Sequence, residues 1–131
     1  MLRTWVPTTL TALAQDLAQR PTGDLDSWRP VFAFLTEWPE ASRAQQQEVL
    51  AAAPPSTRQP KWDACIAALA EYLALRDGLE PPRWARQAKY ALDTFWFPVS
   101  TPGAVGDALV YAPASFACRG IFIERRDLER V

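Results

Sequence analysis

Apolar residues recur at helical spacing along most of the chain, and prolines separate the segments in which they do so. The clearest segment begins at Pro60 and carries four large apolar residues at steps of four, three and four: Trp62, Ile66, Leu69 and Leu73. This spacing places an apolar stripe on one face of a helix. Gly78, just beyond the stripe, readily adopts the left-handed conformation that ends helices. We therefore predict a helix from Pro60 to Gly78 at the centre of the domain.

The same periodicity predicts five further helices, each ended by proline or glycine. They cover residues 8–19, 27–38 and 40–53, the stretch between Pro82 and Pro98, and a short segment that Thr101 caps and Pro102 begins. Ser27 is the predicted cap of the second helix. One or two additional helical turns are predicted at 113–120, where Gly120 stops them.

The predicted fold class is all-α. We expect a single compact domain of about six short helices over residues 1–131, with a helical bundle at 1–79 and C-terminal helices with a docking tail at 80–131. Residues 121–124 are predicted to be extended. A strand there would need a partner, which residues 95–97 or 109–111 could supply.

The composition excludes several kinds of chemistry but does not identify one. In 131 residues, 49% are hydrophobic and 22% are charged, which is typical of a globular protein. The absence of histidine excludes Ser–His and Cys–His nucleophile pairs and every imidazole metal site. Fourteen basic residues face fifteen acidic ones, and this near-neutral balance argues against a dedicated nucleic-acid binder.

The two cysteines, Cys65 and Cys118, do not form a close pair that would indicate a metal or redox site. We interpret both as small buried apolar residues and leave a disulfide between them open. No apolar run approaches the ~18 residues that cross a bilayer. The N-terminus lacks the apolar core of a secretory signal, so we expect a cytoplasmic protein that has no membrane contact.

No residue pattern indicates catalysis, a metal or a cofactor. Gly103 and Gly106 are the only close glycine pair. A phosphate-binding loop would add a lysine or a preceding apolar strand, and both are missing, so the pair is interpreted as the start of a helix. Carboxylates could still meet in space, but the acidic residues occupy positions typical of solvated helix faces. We predict a protein without catalytic residues.

One alternative function rests on the predicted helix between Pro82 and Pro98. Arg83, Arg86 and Lys89 follow one another at steps of three and would form a basic stripe on that helix. Such a stripe could contact a nucleic-acid backbone, as in a DNA-binding transcriptional regulator. The interpretation that we prefer for this stripe is a solvated helix face.

The preferred hypothesis is a protein-interaction module without enzymatic activity. Residues 95–97 are three consecutive aromatics, which a helix cannot bury on one face because successive side chains point about 100° apart. Residues 119–123 carry a second surplus of apolar side chains beside arginines, and six tryptophans are many for one small domain. The residues expected to contact a protein partner are Trp84, Trp96, Phe97, Arg119, Phe122, Arg125 and Arg126.

The last 45 or so residues, from Arg86 onward, carry the motifs FWFP at 95–98, a short helix, APASF at 112–116 and RGIFI at 119–123. This order resembles small uncharacterised bacterial proteins encoded beside nucleotidyltransferase-like genes, in an arrangement like that of toxin–antitoxin pairs. The resemblance implies a non-enzymatic, antitoxin-like protein that binds and restrains a nucleotidyltransferase-like toxin.

Overall fold

In the computed structural model, which describes residues 5–129, helices dominate the chain. The α-helices are α1 (Leu10–Leu17), α2 (Arg29–Glu37), α3 (Arg43–Ala51), α4 (Pro60–Asp77), α5 (Pro102–Tyr111), α6 (Ala114–Ala117) and α7 (Arg125–Leu128). Short 3₁₀ turns lie at Leu25–Trp28, Trp38–Glu40, Arg83–Arg86 and Ala88–Tyr90. The predicted all-α class is confirmed. Within the described range, no helix is both long and apolar enough to cross a membrane.

Helix α4 is the centre of the fold, as its pattern predicts. It begins at Pro60 and ends at Gly78, whose φ of +70° is the left-handed conformation expected there. Nearly every side chain from Trp62 to Ala74 is buried, so the helix is enclosed on all sides rather than along one stripe. Many of these residues are alanines, and their small side chains let α1, α6 and the turn at Arg83–Arg86 pack around α4.

The N-terminal helices form close to the predicted positions, with one change of cap. The second helix begins at Arg29, and a 3₁₀ turn precedes it. Asp24, rather than Ser27, caps that turn: its carboxylate accepts the Ser27 backbone N–H at 3.0 Å and also the Ser27 hydroxyl. Ser42 caps α3 through a capping box with Gln45, in which each side chain accepts the other residue's backbone N–H.

The predicted helix between Pro82 and Pro98 is wrong. Two 3₁₀ turns occupy its first half, and residues 91–98 are not helical. The backbone N–H groups of Leu92 and Trp96 donate to the carbonyls of Arg119 and Gly120, at 2.9 and 2.8 Å. These hydrogen bonds to a distant segment pair the backbone N–H groups of Leu92 and Trp96 without a helix. The side chain of Trp96 then enters the core.

Residues 121–124 form no strand, so the sequence prediction of an extended element there is not confirmed. Only Ile121 pairs, through a single parallel bridge to Trp96, and α7 begins at Arg125. Of the two partner segments considered, 95–97 supplies this bridge, whereas residues 109–111 belong to α5. Gly120, with a φ of +84°, turns the chain out of α6 and into the bridge.

One hydrophobic cluster includes buried residues from Leu10 in α1 to Leu128 in α7. Trp28, Trp62 and Trp96 meet at its centre, with ring centroids 5.4–5.9 Å apart in all three pairs. Trp38 is also buried, so four of the six tryptophans belong to the interior. This cluster joins the N-terminal helices to the segments that follow α4.

Two glycines provide a test of the turn after α6. Gly120→Ala is expected to destabilise the protein by about 1–2 kcal/mol, because φ is positive and the new Cβ would lie 3.4 Å from the Leu92 Cβ. Gly106→Ala, inside α5 with no atom within 4 Å of the new Cβ, is expected to stabilise it by about 0.5–1 kcal/mol. Urea unfolding of both variants measures the difference, and equal effects would contradict the structure of this turn.

Candidate partner-binding surface

Three phenylalanine rings meet outside the core. The ring of Phe122 stacks on that of Phe97, with centroids 5.2 Å apart, and receives Phe95 edge-on at 5.0 Å. Phe95 is 70% exposed, and the other two are half-buried. We name Phe95, Phe97 and Phe122 the phenylalanine patch. Edge-on and stacked pairs are the favourable geometries for aromatic rings, so the three side chains hold one another in place.

The backbone explains why these rings face outward together. In an extended segment, successive side chains point to opposite sides. Trp96 therefore enters the core while Phe95 and Phe97 remain outside, and Ile121 and Ile123 are buried on either side of Phe122. The bridge between Trp96 and Ile121 places the two outward faces next to each other.

The structure brings together two of the residues predicted to contact a partner, Phe97 and Phe122. It adds Phe95, which the sequence analysis noted as part of the aromatic run but did not select. It places Trp96, only 4% exposed, in the core against Trp28 and Trp62. Residues 95–97 were interpreted as the end of a helix. Interpreted as extended, they would have been expected to place Trp96 on one side and Phe95 and Phe97 on the other.

Arg119, also predicted to contact a partner, is buried and engaged inside the molecule. Its guanidinium donates to the Glu71 carboxylate at 3.0 Å and to the carbonyls of Ser115 and Ala85 at 2.6 and 2.7 Å. Arg86 donates to the other Glu71 oxygen at 2.8 Å. Arg119 thus ties α4 to α6 and to the turn at Arg83–Arg86.

Glu71 is the acidic centre of this network. Burial raises the pKa of its carboxyl, but the hydrogen bonds from Arg119 and Arg86 outweigh burial and hold the pKa below its usual range. The carboxylate is therefore ionised at neutral pH and serves as the counter-charge of a buried arginine. This role is structural, because both of its oxygens already have partners.

Trp84 is half-buried and also makes internal contacts. Its indole N–H donates to the Leu50 carbonyl at 2.9 Å, and its ring lies edge-on to Tyr90 at 5.9 Å. It links α3 to the segment that follows α4. The exposed remainder of its ring lies apart from the rings of the phenylalanine patch, with none of which it makes a ring contact.

The basic stripe considered for nucleic acid does not exist as a helix face, because its helix does not form. Arg83 and Arg86 lie in one 3₁₀ turn and Lys89 in the next. Arg86 is paired with Glu71, and the Lys89 ammonium lies 5.2 Å from the centroid of the Tyr90 ring. One of the three charges is thus neutralised, and the regular spacing that would match a phosphate backbone is lost.

Arg125 and Arg126 are exposed on α7, beside two neighbouring hollows. One, of about 440 Å³, is lined by Tyr111, Glu124, Arg125, Arg126 and Glu129. The other, of about 400 Å³, shares Arg125 and Glu129 and reaches Leu75 and Tyr72. Burial and the Glu129 carboxylate raise the pKa of Tyr72 to about 12, so the phenol stays protonated and donates to Glu129.

The cysteines differ from each other, which corrects one expectation. Cys65 is buried in α4, where burial raises the pKa of its thiol, whereas Cys118 is exposed. Both are free, so the disulfide left open above is not formed. Over residues 5–129, no three cysteine, aspartate or glutamate side chains gather closely enough to bind a metal ion.

The chain was compared with known protein families, curated proteins and solved structures. No protein-family model, curated protein or solved structure matches this chain. The phenylalanine patch is therefore interpreted from its own geometry and chemistry.

Proposed function

We propose that this chain is a protein-interaction domain that binds a protein partner through the phenylalanine patch. The supporting observation is the position of three aromatic rings, two of them packed on the third, Phe122, outside a core that is already complete without them. Trp96 and Ile121 fill the interior side of the same segments. The outward rings are therefore not needed to close the core.

The energetics of aromatic burial favour this role. Covering a large apolar side chain contributes about 1.5–3 kcal/mol, and clustered aromatic anchors commonly dominate binding energies. The rings of the phenylalanine patch are also held by one another and by a bridged backbone. A partner would order few new side chains on binding, which lowers the entropic cost of association.

The class of partner is proposed from the C-terminal resemblance described above. Two of its three motifs, at 95–98 and 119–123, contribute the residues of the phenylalanine patch. We propose that the partner is the nucleotidyltransferase-like product of a neighbouring gene, and that this chain restrains it as an antitoxin does. The proposal requires no catalytic residue, metal or cofactor in this chain.

Phe95→Ser tests the proposal in co-expression with the product of the adjacent gene, followed by size-exclusion chromatography. We expect the unsubstituted chain to elute in a complex and the variant to bind at least tenfold more weakly, because Phe95 is the most exposed ring of the patch. Phe95→Trp is expected to retain most of the affinity, since it keeps an aromatic ring at this position.

Val6→Ser is the matched control, because Val6 is 71% exposed and lies far along the chain from the patch. It is expected to leave the complex intact. Separate elution of two folded proteins would contradict the proposed partner. A complex that Phe95→Ser and Val6→Ser affect equally would contradict the proposed surface.

A further inference from the structure

The phenylalanine patch lies on two chain segments that a parallel bridge joins, and the outer sides of these segments differ. The bridge uses both backbone groups of Trp96: its N–H donates to the Gly120 carbonyl at 2.8 Å, and its carbonyl accepts the Phe122 N–H at 2.9 Å. On the far side of the second segment, the Ile121 N–H donates to the Phe116 carbonyl in α6 at 3.0 Å. The protein's own helix thus occupies that side.

The outer side of residues 95–97 is an open edge. In an extended backbone, the N–H and C=O groups of one residue point to one side, and those of its neighbours point to the other. Because both groups of Trp96 face the segment 119–123, those of Phe95 and Phe97 face away from it. Among residues 5–129, these two N–H and two C=O groups have no hydrogen bond. Phe95 is 70% exposed, so this edge lies at the surface.

These unpaired groups match one kind of binding element, another extended backbone. A strand presents a donor and an acceptor at every second residue along one side, which is the spacing of Phe95 and Phe97. A partner's helix does not match them, because its backbone groups bond to one another within the helix. A charged surface would satisfy either the donors or the acceptors, but not both. The edge therefore fits an added strand.

The ends of the open edge limit how much strand can be added. Bends at 93–94 and 98–99 bound the extended residues, and Pro98 has no N–H to donate. The two N–H and two C=O groups allow at most four backbone hydrogen bonds. A short edge that ends in proline is a usual protection against uncontrolled pairing of strands. An occupant must therefore gain further contacts from the rings beside the edge.

We propose that the protein partner adds an extended segment to this edge, hydrogen-bonded to the backbone of Phe95 and Phe97. Alternate side chains of that segment would lie beside the rings of Phe95 and Phe97, since opposed residues of paired strands have Cβ atoms about 4.5–5.5 Å apart. We expect these side chains to be apolar, and the residues that pair not to be proline. This inference rests on the proposed function and names the element of the partner that the phenylalanine patch recognises.

An ester in place of the amide bond between Thr94 and Phe95 tests the backbone contact. Phenyllactate in place of Phe95 removes the N–H group and keeps the ring. Binding to the product of the adjacent gene should weaken about threefold to tenfold, the effect of one hydrogen bond. The control is the corresponding ester at Val6, whose N–H has no hydrogen bond in the described chain, and it should leave binding unchanged. Circular dichroism and thermal unfolding check that both chains fold.

Amide hydrogen exchange, measured by NMR on the free chain and on the complex, locates the added strand. The amides of Phe95 and Phe97 should exchange at least about tenfold more slowly in the complex. The Trp96 amide already donates to Gly120, so it is the internal reference and should change less. In the partner, the slowed amides should include alternate residues of a segment that is not helical.

Three outcomes would overturn this inference. A complex that Phe95→Ser weakens, but in which the ester has no effect and the Phe95 and Phe97 amides exchange as in the free chain, overturns it and leaves the proposed function intact. Separate elution of the two proteins overturns both. Protection of these amides in the free chain that grows with its concentration would show that a second copy occupies the edge instead of the partner.

Discussion

Arg119→Met is expected to lower the free energy of unfolding by about 3–5 kcal/mol at neutral pH. The substitution leaves Glu71 ionised in a buried position, with only the half-exposed Arg86 as a counter-charge. It also removes the donor to the carbonyls of Ala85 and Ser115, which are hydrogen-bonded to Arg119 in the native fold. Urea unfolding followed by tryptophan fluorescence measures the loss.

Two comparisons show whether this loss comes from the buried pair. Arg29→Met removes an arginine from an exposed pair with Asp26 and should change stability by less than about 0.5 kcal/mol. The double variant Glu71→Met/Arg119→Met should lose at least about 1 kcal/mol less than Arg119→Met alone, because no charge is left buried. Additive losses would mean that Glu71 and Arg119 do not act as a pair.

The same pair predicts a dependence on pH. The folded-state pKa of Glu71 lies below that of an unfolded glutamate, about 4.3. Its ionised pair therefore contributes full stability above about pH 5, and this contribution is lost as the pH falls through the folded-state pKa. The difference in unfolding free energy between the unsubstituted chain and Arg119→Met should thus shrink as the pH falls below about 5. A constant difference would contradict this assignment.

Trp62→Ala is expected to lower the free energy of unfolding by about 3–5 kcal/mol. Its side chain is fully buried, its indole N–H donates to the Arg20 carbonyl at 3.1 Å, and its ring contacts Trp28 and Trp96. Removing it opens a cavity between α4 and the segment that carries the phenylalanine patch. Such a loss is a large share of the ~5–15 kcal/mol that stabilises a typical domain.

Trp5→Ala is the control for Trp62→Ala, because Trp5 is 43% exposed at the start of the described chain. It is expected to change stability by less than about 1 kcal/mol. Thermal unfolding of the three proteins makes the comparison. Equal losses for the two tryptophans would contradict the placement of Trp62 at the centre of the core.

Sequence patterns predict α4 and the N-terminal helices because their signals are local. The apolar spacing from Trp62 to Leu73, Pro60 at the start and Gly78 at the end all act within a few residues of one another. The predicted start at Pro102 is correct for the same reason, although no side chain caps that helix. Where the start, the buried face and the end of a helix are all encoded by residues within that helix or next to it, the sequence is sufficient to predict the helix.

The candidate site could be predicted only in part. The surplus of aromatic residues at 95–97 and 119–123 was visible, and Phe97 and Phe122, both selected as partner contacts, lie stacked on each other outside the core. Trp96 and Arg119 were assigned to the same surface but lie in the interior. Both depend on contacts with residues at least 25 positions away, which include Ile121 for Trp96 and Glu71 for Arg119.

By itself, the amino-acid sequence determined that this chain is helical, where its central helix starts and stops, and that its 131 residues offer no histidine side chain. Only the tertiary structure decided that residues 91–98 leave the helix, that Arg119 serves the core, and that Phe95, Phe97 and Phe122 form one patch. The physical reason is that helix formation is governed by neighbours in sequence. The direction in which a side chain points from an irregular segment is governed by the distant backbone that pairs with it.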